Sequence, residues 1–264
     1  MSTSSFSNKL FWKIKGSIGI SFFAIINFFG PQYFFRFRDI IIKRIQHDRK
    51  DSFSYLFKFV EKVINSLNRR LLTDDLVRSG VYYLSDRQGY WYRLHEYIFD
   101  KYVKQPIDYL EFGVYRGQSI RWYLLKLAPE SNLYGFDSFE GLPEEWISYG
   151  EKGRFNCDGH IPDIAAPNLR FIKGWFEESL TPFLASTILN PRLVIHIDAD
   201  LYSSTIYILR IMKDYLAPGT IVIFDEYWVV KDEFMALKDF ISATGKKFEY
   251  LAITDTRAAI RFTS

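Results

Sequence analysis

Between residues 107 and 225 apolar runs that end on a glycine or an acidic residue alternate with helix-like stretches, and this alternation limits what the chain can fold into. The runs are Ile107–Gly113, Leu133–Asp137, Leu169–Gly174, Leu193–Asp198 and Ile221–Asp225. Helical patterns lie at Ser119–Leu127, Phe176–Ser186, Ser203–Leu216 and Asp232–Thr244. Repeated strand, helix, strand predicts an α/β protein with a parallel, doubly wound, Rossmann-like sheet. The tail departs from the pattern: Phe248–Thr254 and Ala258–Phe262 are separated only by residues 255–257. So short a connection requires an antiparallel pair. Five parallel strands and a terminal hairpin outline the class I methyltransferase sheet, an outline that does not by itself choose an activity.

At 264 residues the chain has room for one such domain and an extension. We place the domain at residues 79–264 and a helical, partly apolar extension at residues 1–78. Residues 16–35 hold no charge and are long enough to span a bilayer, but Ser17, Ser21, Asn27, Gln32 and Gly30-Pro31 interrupt them. No signal-peptide cleavage pattern follows. Lys9, Lys13 and Lys15 precede the run, and Arg36, Arg38, Lys43 and Arg44 follow it. Residues 9–45 are therefore expected to meet the cytoplasmic membrane face peripherally, with Phe22, Phe23, Phe28, Phe29, Phe34 and Phe35 at the headgroup boundary. The alternative is that they pack on the amphipathic stretch 53–67, as a helical subdomain or a homo-oligomer face. A net charge of +3 is too small to argue for nucleic acid. One cysteine, Cys157, excludes an internal disulfide and a Cys-clustered zinc site, and suits a reducing, cytoplasmic setting.

Four features carry chemistry. Glu111-Phe112-Gly113-Val114-Tyr115-Arg116-Gly117 closes a strand and opens a helix at Gln118-Ser119. Its glycines allow a sharp turn and close approach of the backbone to a ligand, and the helix start offers free N–H groups. The second glycine comes four residues after the first. That spacing excludes the dinucleotide Gly-x-Gly-x-x-Gly turn and fits the acidic-x-Gly-x-x-x-Gly turn used for S-adenosylmethionine. A plain strand-to-helix turn is the bland alternative. Asp137, followed by Ser138, ends the next strand 20 positions after Gly117, where a carboxylate can accept the hydroxyls of a ribose. Alone it would read as a helix cap.

The third feature is acidic: Asp198 and Asp200 close one strand and Asp225-Glu226 the next. Neighbouring strand ends lie about 4.8 Å apart, so these carboxylates should converge on the ligand-binding edge of the sheet. No Lys or Arg lies between or beside them in the sequence. A hard divalent ion such as Mg²⁺ is thus expected, with helix capping as the alternative. The fourth is the stretch from Leu142 to Asn168, which shows no strand pattern and reads as a lid or as a poorly ordered insertion. His160 within it is a base or, more simply, a solvated side chain. Tyr82, Tyr83, Tyr90, Trp91, Tyr92 and Tyr97 are expected to pack the extension on the sheet or to wall the site.

The stretches EFGVYRGQS, YGFDSFEGLPEEW, KGWFEESLTPFL, HIDADLYSST and APGTIVIFDEYW occur in this order over residues 80–264. They resemble the macrocin O-methyltransferase (TylF-like) family. The resemblance implies a metal-dependent, S-adenosylmethionine-using methyltransferase acting on hydroxyls of sugars or glycosides. By motif, Glu111, Gly113, Tyr115, Gly117 and Ser119 would line the cofactor, Asp137 and Ser138 would hold its ribose, and Gly174, Trp175 and Phe176 would close around adenine. Asp198, Asp225 and Glu226 fall on the metal-ligand positions, and Asp198 or Asp200 would be the general base. The chain departs from the family in carrying Ala199, where glycine is usual, and Glu226, where aspartate is usual. Other readings are a phenolic, catechol-like acceptor, or a catalytically silent cofactor-binding module tethered at the membrane.

Overall fold

The computed structural model describes residues 72–85, 92–146, 149–229 and 231–264, all within one compact unit that runs from residue 62 to residue 264. The expected membrane-contact segment and the amphipathic stretch 53–67 lie outside the described residues. Of the extension only 72–78, which is helical, is described. Among the described residues no helix is long and apolar enough to cross a membrane.

The apolar runs become strands β2 (Asp108–Phe112), β3 (Asn132–Asp137), β4 (Leu169–Lys173), β5 (Leu193–Ile197) and β6 (Ile221–Phe224). They join the hairpin strands β7 (Phe248–Ile253) and β8 (Ala258–Phe262) and a two-residue edge strand, β1 (Tyr82–Tyr83). The strand order is β1-β7-β8-β6-β5-β2-β3-β4. Strands β2 to β6 run parallel. Strand β8 is antiparallel to both β6 and β7, so the hairpin does not simply extend the sheet but inserts its second strand next to β6.

Alternation along the strands builds two cores. Tyr109, Val194, Ile221 and Ile223 point to the side covered by α1 (Arg93–Tyr102) and α2 (Gln118–Lys126), where Leu94, Ile98, Ile120 and Tyr123 meet them. Their neighbours Leu110, Phe112, Ile195, Ile197, Val222 and Phe224 point the other way. There they pack on Leu180 and Phe183 of α3 (Phe176–Ser186), Ile208 and Leu209 of α4 (Tyr202–Ile211), and Leu237 and Phe240 of α5 (Glu233–Thr244). Burying each such side chain stabilises the fold by about 1.5–3 kcal/mol.

Two elements were not legible beforehand. Helix α1 and strand β1 lie in the tyrosine-rich stretch, where aromatic density masks periodicity. Tyr82 stacks on Tyr97 at 4.4 Å between ring centroids, and Tyr92 stacks on Trp122 at 6.0 Å. These tyrosines thus cover the sheet edge and α2 and are not among the residues lining the principal cleft. Tyr90 and Trp91 lie outside the described residues. Helix α4 also stops at Ile211, short of the expected Leu216, because the chain tightens into turns that bury Met212 and Leu216.

The turn after β2 is the tightest point of the fold. Gly113 has φ +95°, and a Cβ there would lie 1.9 Å from the Asp198 carbonyl oxygen at the end of β5. Gly113→Ala is expected to lower the unfolding free energy by about 2–5 kcal/mol, from left-handed strain plus overpacking. Denaturant titration checks this, and a variant as stable as the wild type would show that the two strand ends are free to separate.

Candidate active site

A cleft of about 150 Å³ opens at the carboxyl edge of the sheet. Its walls include Gly113, Tyr115, Asp137, Ser138, Gly174, Trp175, Phe176, Asp198 and Asp200. Nine of the residues singled out from sequence therefore meet around one space. Five do not line it: Glu111, Gly117, Ser119, Asp225 and Glu226. Gly117, at φ +71°, caps α2 and faces Pro162 and Ile164 of the long loop.

Asp137 does more than face the cleft. Its Oδ2 accepts hydrogen bonds from the backbone N–H of Val114 (2.8 Å) and of Tyr115 (2.7 Å), and its Oδ1 accepts one from Phe139 (2.7 Å). The carboxylate thereby clamps the turn after β2 to the end of β3. Of roughly four acceptor positions on an ionised carboxylate, one remains for a ligand hydroxyl. Its three backbone partners make Asp137 a structural residue as well.

The described residues of the long loop hydrogen-bond to one another and to Asp232. Leu142 N–H donates to the Arg154 carbonyl (2.8 Å), and Gly153 N–H donates to that of Leu142 (2.9 Å). Trp146 donates its indole N–H to Asp232 (2.9 Å). Leu142 and Trp146 pack with Leu201 and Val229 beside the cleft. Through Gly141, Leu142, Pro143 and Phe155 the loop forms one wall of that cleft. His160 points elsewhere: its Nδ1 lies 3.0 Å from the Cys157 carbonyl, and it lines a separate, open cavity with Arg116 and Arg121.

Beneath the cleft lies a buried polar network. Glu111 is fully buried and does not line the cleft. Its carboxylate accepts from the Tyr109 hydroxyl (2.8 Å) and from the Ser119 hydroxyl. The Tyr109 hydroxyl in turn lies 3.0 Å from His196 Nδ1. His196 Nε2 pairs with Asp225 Oδ1 at 3.5 Å. Burial opposes charge on His196, but its pairings with Asp225 and Glu111, and the charges of Glu111 and Asp198, carry its pKa up to about 10. The imidazole is therefore cationic. His95 sits against it with ring centroids 4.7 Å apart, and burial followed by the charge of His196 keeps His95 neutral, well below its usual pKa.

Asp225 also meets a cation that the sequence analysis missed. Arg257, from the turn between β7 and β8, donates Nε to Oδ1 (2.5 Å) and Nη2 to Oδ2 (3.0 Å). Burial alone would raise the Asp225 pKa; the His196 pairing and the guanidinium outweigh it and hold the carboxyl well below its usual range. The expectation that no Lys or Arg neutralises this carboxylate is corrected, because Arg257 lies 32 residues away in sequence yet beside it in space.

Among the described residues no guanidinium forks onto the remaining acids. Burial and the charges of Asp225, Asp200 and Glu111 push Asp198 well above the usual carboxylate range, against the pull of His196. Asp200 rises to about 8 through burial and the charges of Glu226, Asp225 and Asp232. Glu226 rises to about 7 through burial and Asp225. Glu233, fully buried and missed from sequence, accepts from the Glu226 N–H (3.0 Å) and is pushed well up by burial and by Asp198. Protons thus take up charge that Arg257 and His196 leave uncancelled.

In the expected triad Asp198, Asp225 and Glu226, the middle carboxylate is already engaged by Arg257. Both Asp225 oxygens already accept from a guanidinium. Among the described residues, the triple whose ligand atoms all lie within 4.8 Å of one another is instead His95, His196 and Asp225. That triple holds a cationic imidazole and the Arg257-paired carboxylate.

The sheet order, with an antiparallel strand set beside β6, and the glycine turn facing a strand-end aspartate define a Rossmann-like class I methyltransferase fold. Residues 110–227 match the family model described as a methyltransferase domain. The chain is also similar to the 8-demethyl-8-(2,3-dimethoxy-α-L-rhamnosyl)-tetracenomycin-C 4′-O-methyltransferase of Streptomyces olivaceus, with 29% identity over 143 residues. That match covers 46% of this chain and 53% of the relative, so the chain spans about half the length of the curated relative it matches. Among solved structures, the calicheamicin methyltransferase CalS11 aligns with a TM-score of 0.48 and 20% identity, covering 85% of this chain and 90% of that one. The O-methyltransferase NovP aligns with a TM-score of 0.43 and 19% identity, covering 76% and 81%.

Two outcomes follow from the geometry. Asp137→Ala is expected to lower the unfolding free energy by about 1.5–3 kcal/mol or more, since it strips an ionised acceptor from three backbone N–H groups; wild-type stability in urea would contradict the clamp. His196 has a folded-state pKa near 10 against an ordinary value of 6.5. A raised pKa stabilises fully below the ordinary value, and the contribution fades as pH climbs toward the folded one. The melting-temperature gap between wild type and His196→Gln should therefore be widest at and below pH 6.5 and should narrow toward pH 10. A gap that widens with pH would mean His196 is buried neutral.

Proposed function

We propose that the chain is an S-adenosylmethionine-dependent O-methyltransferase whose acceptor is a sugar hydroxyl. The observation that carries this reading is the single cleft that joins the glycine turn and Asp137 on one side to Asp198 and Asp200 on the other. The methyltransferase-domain match over residues 110–227 supports the reaction class. The 4′-O-methyltransferase activity that names the Streptomyces olivaceus relative, directed at a rhamnosyl-tetracenomycin, supports the acceptor class.

The residues suit the cofactor. Asp137 keeps one acceptor position for a ribose hydroxyl. Gly113 and Tyr115 offer a close backbone wall for the methionyl end, and Gly174, Trp175 and Phe176 a partly apolar wall for adenine. When bound, S-adenosylmethionine supplies an electrophilic methyl group on a sulfonium. The acceptor hydroxyl, held against Asp198 and Asp200, contributes an oxygen lone pair to the new C–O bond, while the C–S bond breaks toward sulfur. Asp200 takes the hydroxyl proton. With its pKa pushed up to about 8, Asp200 is a strong base once ionised, and the ionised fraction able to take that proton grows as pH rises toward 8 and above. Asp198, also on the cleft wall, orients the hydroxyl. No step is routed through a divalent ion.

A general base contributes about 10²–10⁴-fold to a rate. Asp200→Asn is expected to lose kcat in that range while its calorimetric affinity for S-adenosylmethionine stays near wild type. The assay is S-adenosylhomocysteine release over free sugars, nucleotide sugars, glycosides and phenols. Turnover with phenols alone would replace the acceptor assignment, and cofactor binding without turnover on any acceptor would favour a silent module.

A further inference from the structure

The register of the last hairpin puts a positive charge where the carboxylate cluster needs one. Strand β8 pairs antiparallel with β6 as Ile221↔Arg261, Val222↔Ile260, Ile223↔Ala259 and Phe224↔Ala258. Continued by one residue past each strand end, that register sets Asp225 opposite Arg257. The turn before Arg257 is fixed. Thr254, fully buried, accepts on its hydroxyl from the N–H groups of Thr256 (3.1 Å) and Arg257 (2.9 Å). Its own N–H donates to the Arg257 carbonyl (2.9 Å), and its carbonyl accepts the Trp228 indole N–H (2.9 Å). The guanidinium is thus aimed by backbone geometry at the carboxylate it forks onto. Both side chains are largely buried, at 14% and 11% exposure for Arg257 and Asp225.

A fork–fork pair of this kind uses both carboxylate oxygens. A divalent ion on the same carboxylate would have to sit within a few ångströms of the guanidinium, and like charges at that range repel strongly in a buried site. Magnesium, moreover, takes its protein ligands as anionic oxygens in near-ideal octahedral geometry. We propose that Arg257 stands in place of a divalent cation at Asp225, so that the carboxylate floor of the cleft is held by an internal charge and methyl transfer proceeds without a metal. Arg257 acts through Asp225 and is a positioning residue. The methyl-transfer part rests on the function proposed above; the claim about the ion does not.

Manganese binding by the full chain tests it. After stripping with EDTA, the protein is titrated with Mn²⁺ and free ion is read by electron paramagnetic resonance, counting as site binding only what Asp225→Asn abolishes. The wild type is expected to show none up to millimolar Mn²⁺. Arg257→Gln is expected to gain one site and to lose it again in Arg257→Gln/Asp225→Asn. A merely structural arginine would not produce that gain. Turnover of S-adenosylmethionine by the wild type should be the same in EDTA and in Mg²⁺. Asp225-dependent Mn²⁺ binding by the wild type, or chelator-sensitive turnover, overturns the proposal, as does a folded Arg257→Gln that binds no ion. If Arg257→Gln fails to fold, the wild-type titration still decides, and Arg257→Lys, which keeps the charge, should fold and bind no Mn²⁺. Absence of turnover with and without metal would defeat the methyltransferase reading and leave the Mn²⁺ result standing.

Discussion

Carboxylates gathered at the end of a parallel sheet can be buried only if their charge is cancelled, and here the cancellation decides the layout of the site. Arg257 and His196 hold Asp225 from two sides, while His196 also reaches Glu111 through Tyr109. These two cations sit under the β5–β6 end of the sheet. What they do not neutralise, burial pushes toward the protonated form at Asp198, Asp200, Glu226 and Glu233. The floor of the cleft is therefore polar but close to charge-balanced, which suits a site that receives a sulfonium cation and a neutral hydroxyl.

A second constraint is the closeness of two strand ends. The turn at Gly113 runs against the carbonyl of Asp198, and Asp137 ties that turn to β3. One residue thus ties the two strand ends together and also lines the cleft, so that wall is anchored to the sheet that carries it. Under the function proposed above, such preorganisation would hold a methyl donor and an acceptor oxygen in fixed relation.

The runs of β2, β5 and β6 were readable because strands buried on both faces show as continuous apolar segments bounded by glycine or acid, and β4, an edge strand with exposed Arg170 and Lys173, followed from its place in the alternation. The helices between them and the two-strand tail followed from periodicity and a short connection. Helix α1 and strand β1 were hidden by aromatic density and by length: a two-residue strand has no period. His196 left a signal that a register argument could have caught. It pairs with Glu111 across β5 and β2, and Tyr109 shares that face, so three polar groups line one side of otherwise apolar strands. Glu233 left a weaker one, an acid in the first turn of a helix, indistinguishable from an ordinary N-terminal charge.

The sequence alone determined the class of fold, the glycine turn, the strand-end acids and the edge of the sheet where they gather, because each depends on local pattern and on spacing along the chain. Only the tertiary structure decided which acids face the cleft and which are consumed beneath it. Glu111 and Asp225 share the strand-end pattern of Asp137 and Asp198, but side-chain alternation turns Glu111 inward and the placement of β8 beside β6 brings Arg257 to Asp225. Which strands become neighbours is set by how the whole sheet packs, and no local pattern around Asp225 encodes a partner 32 residues away.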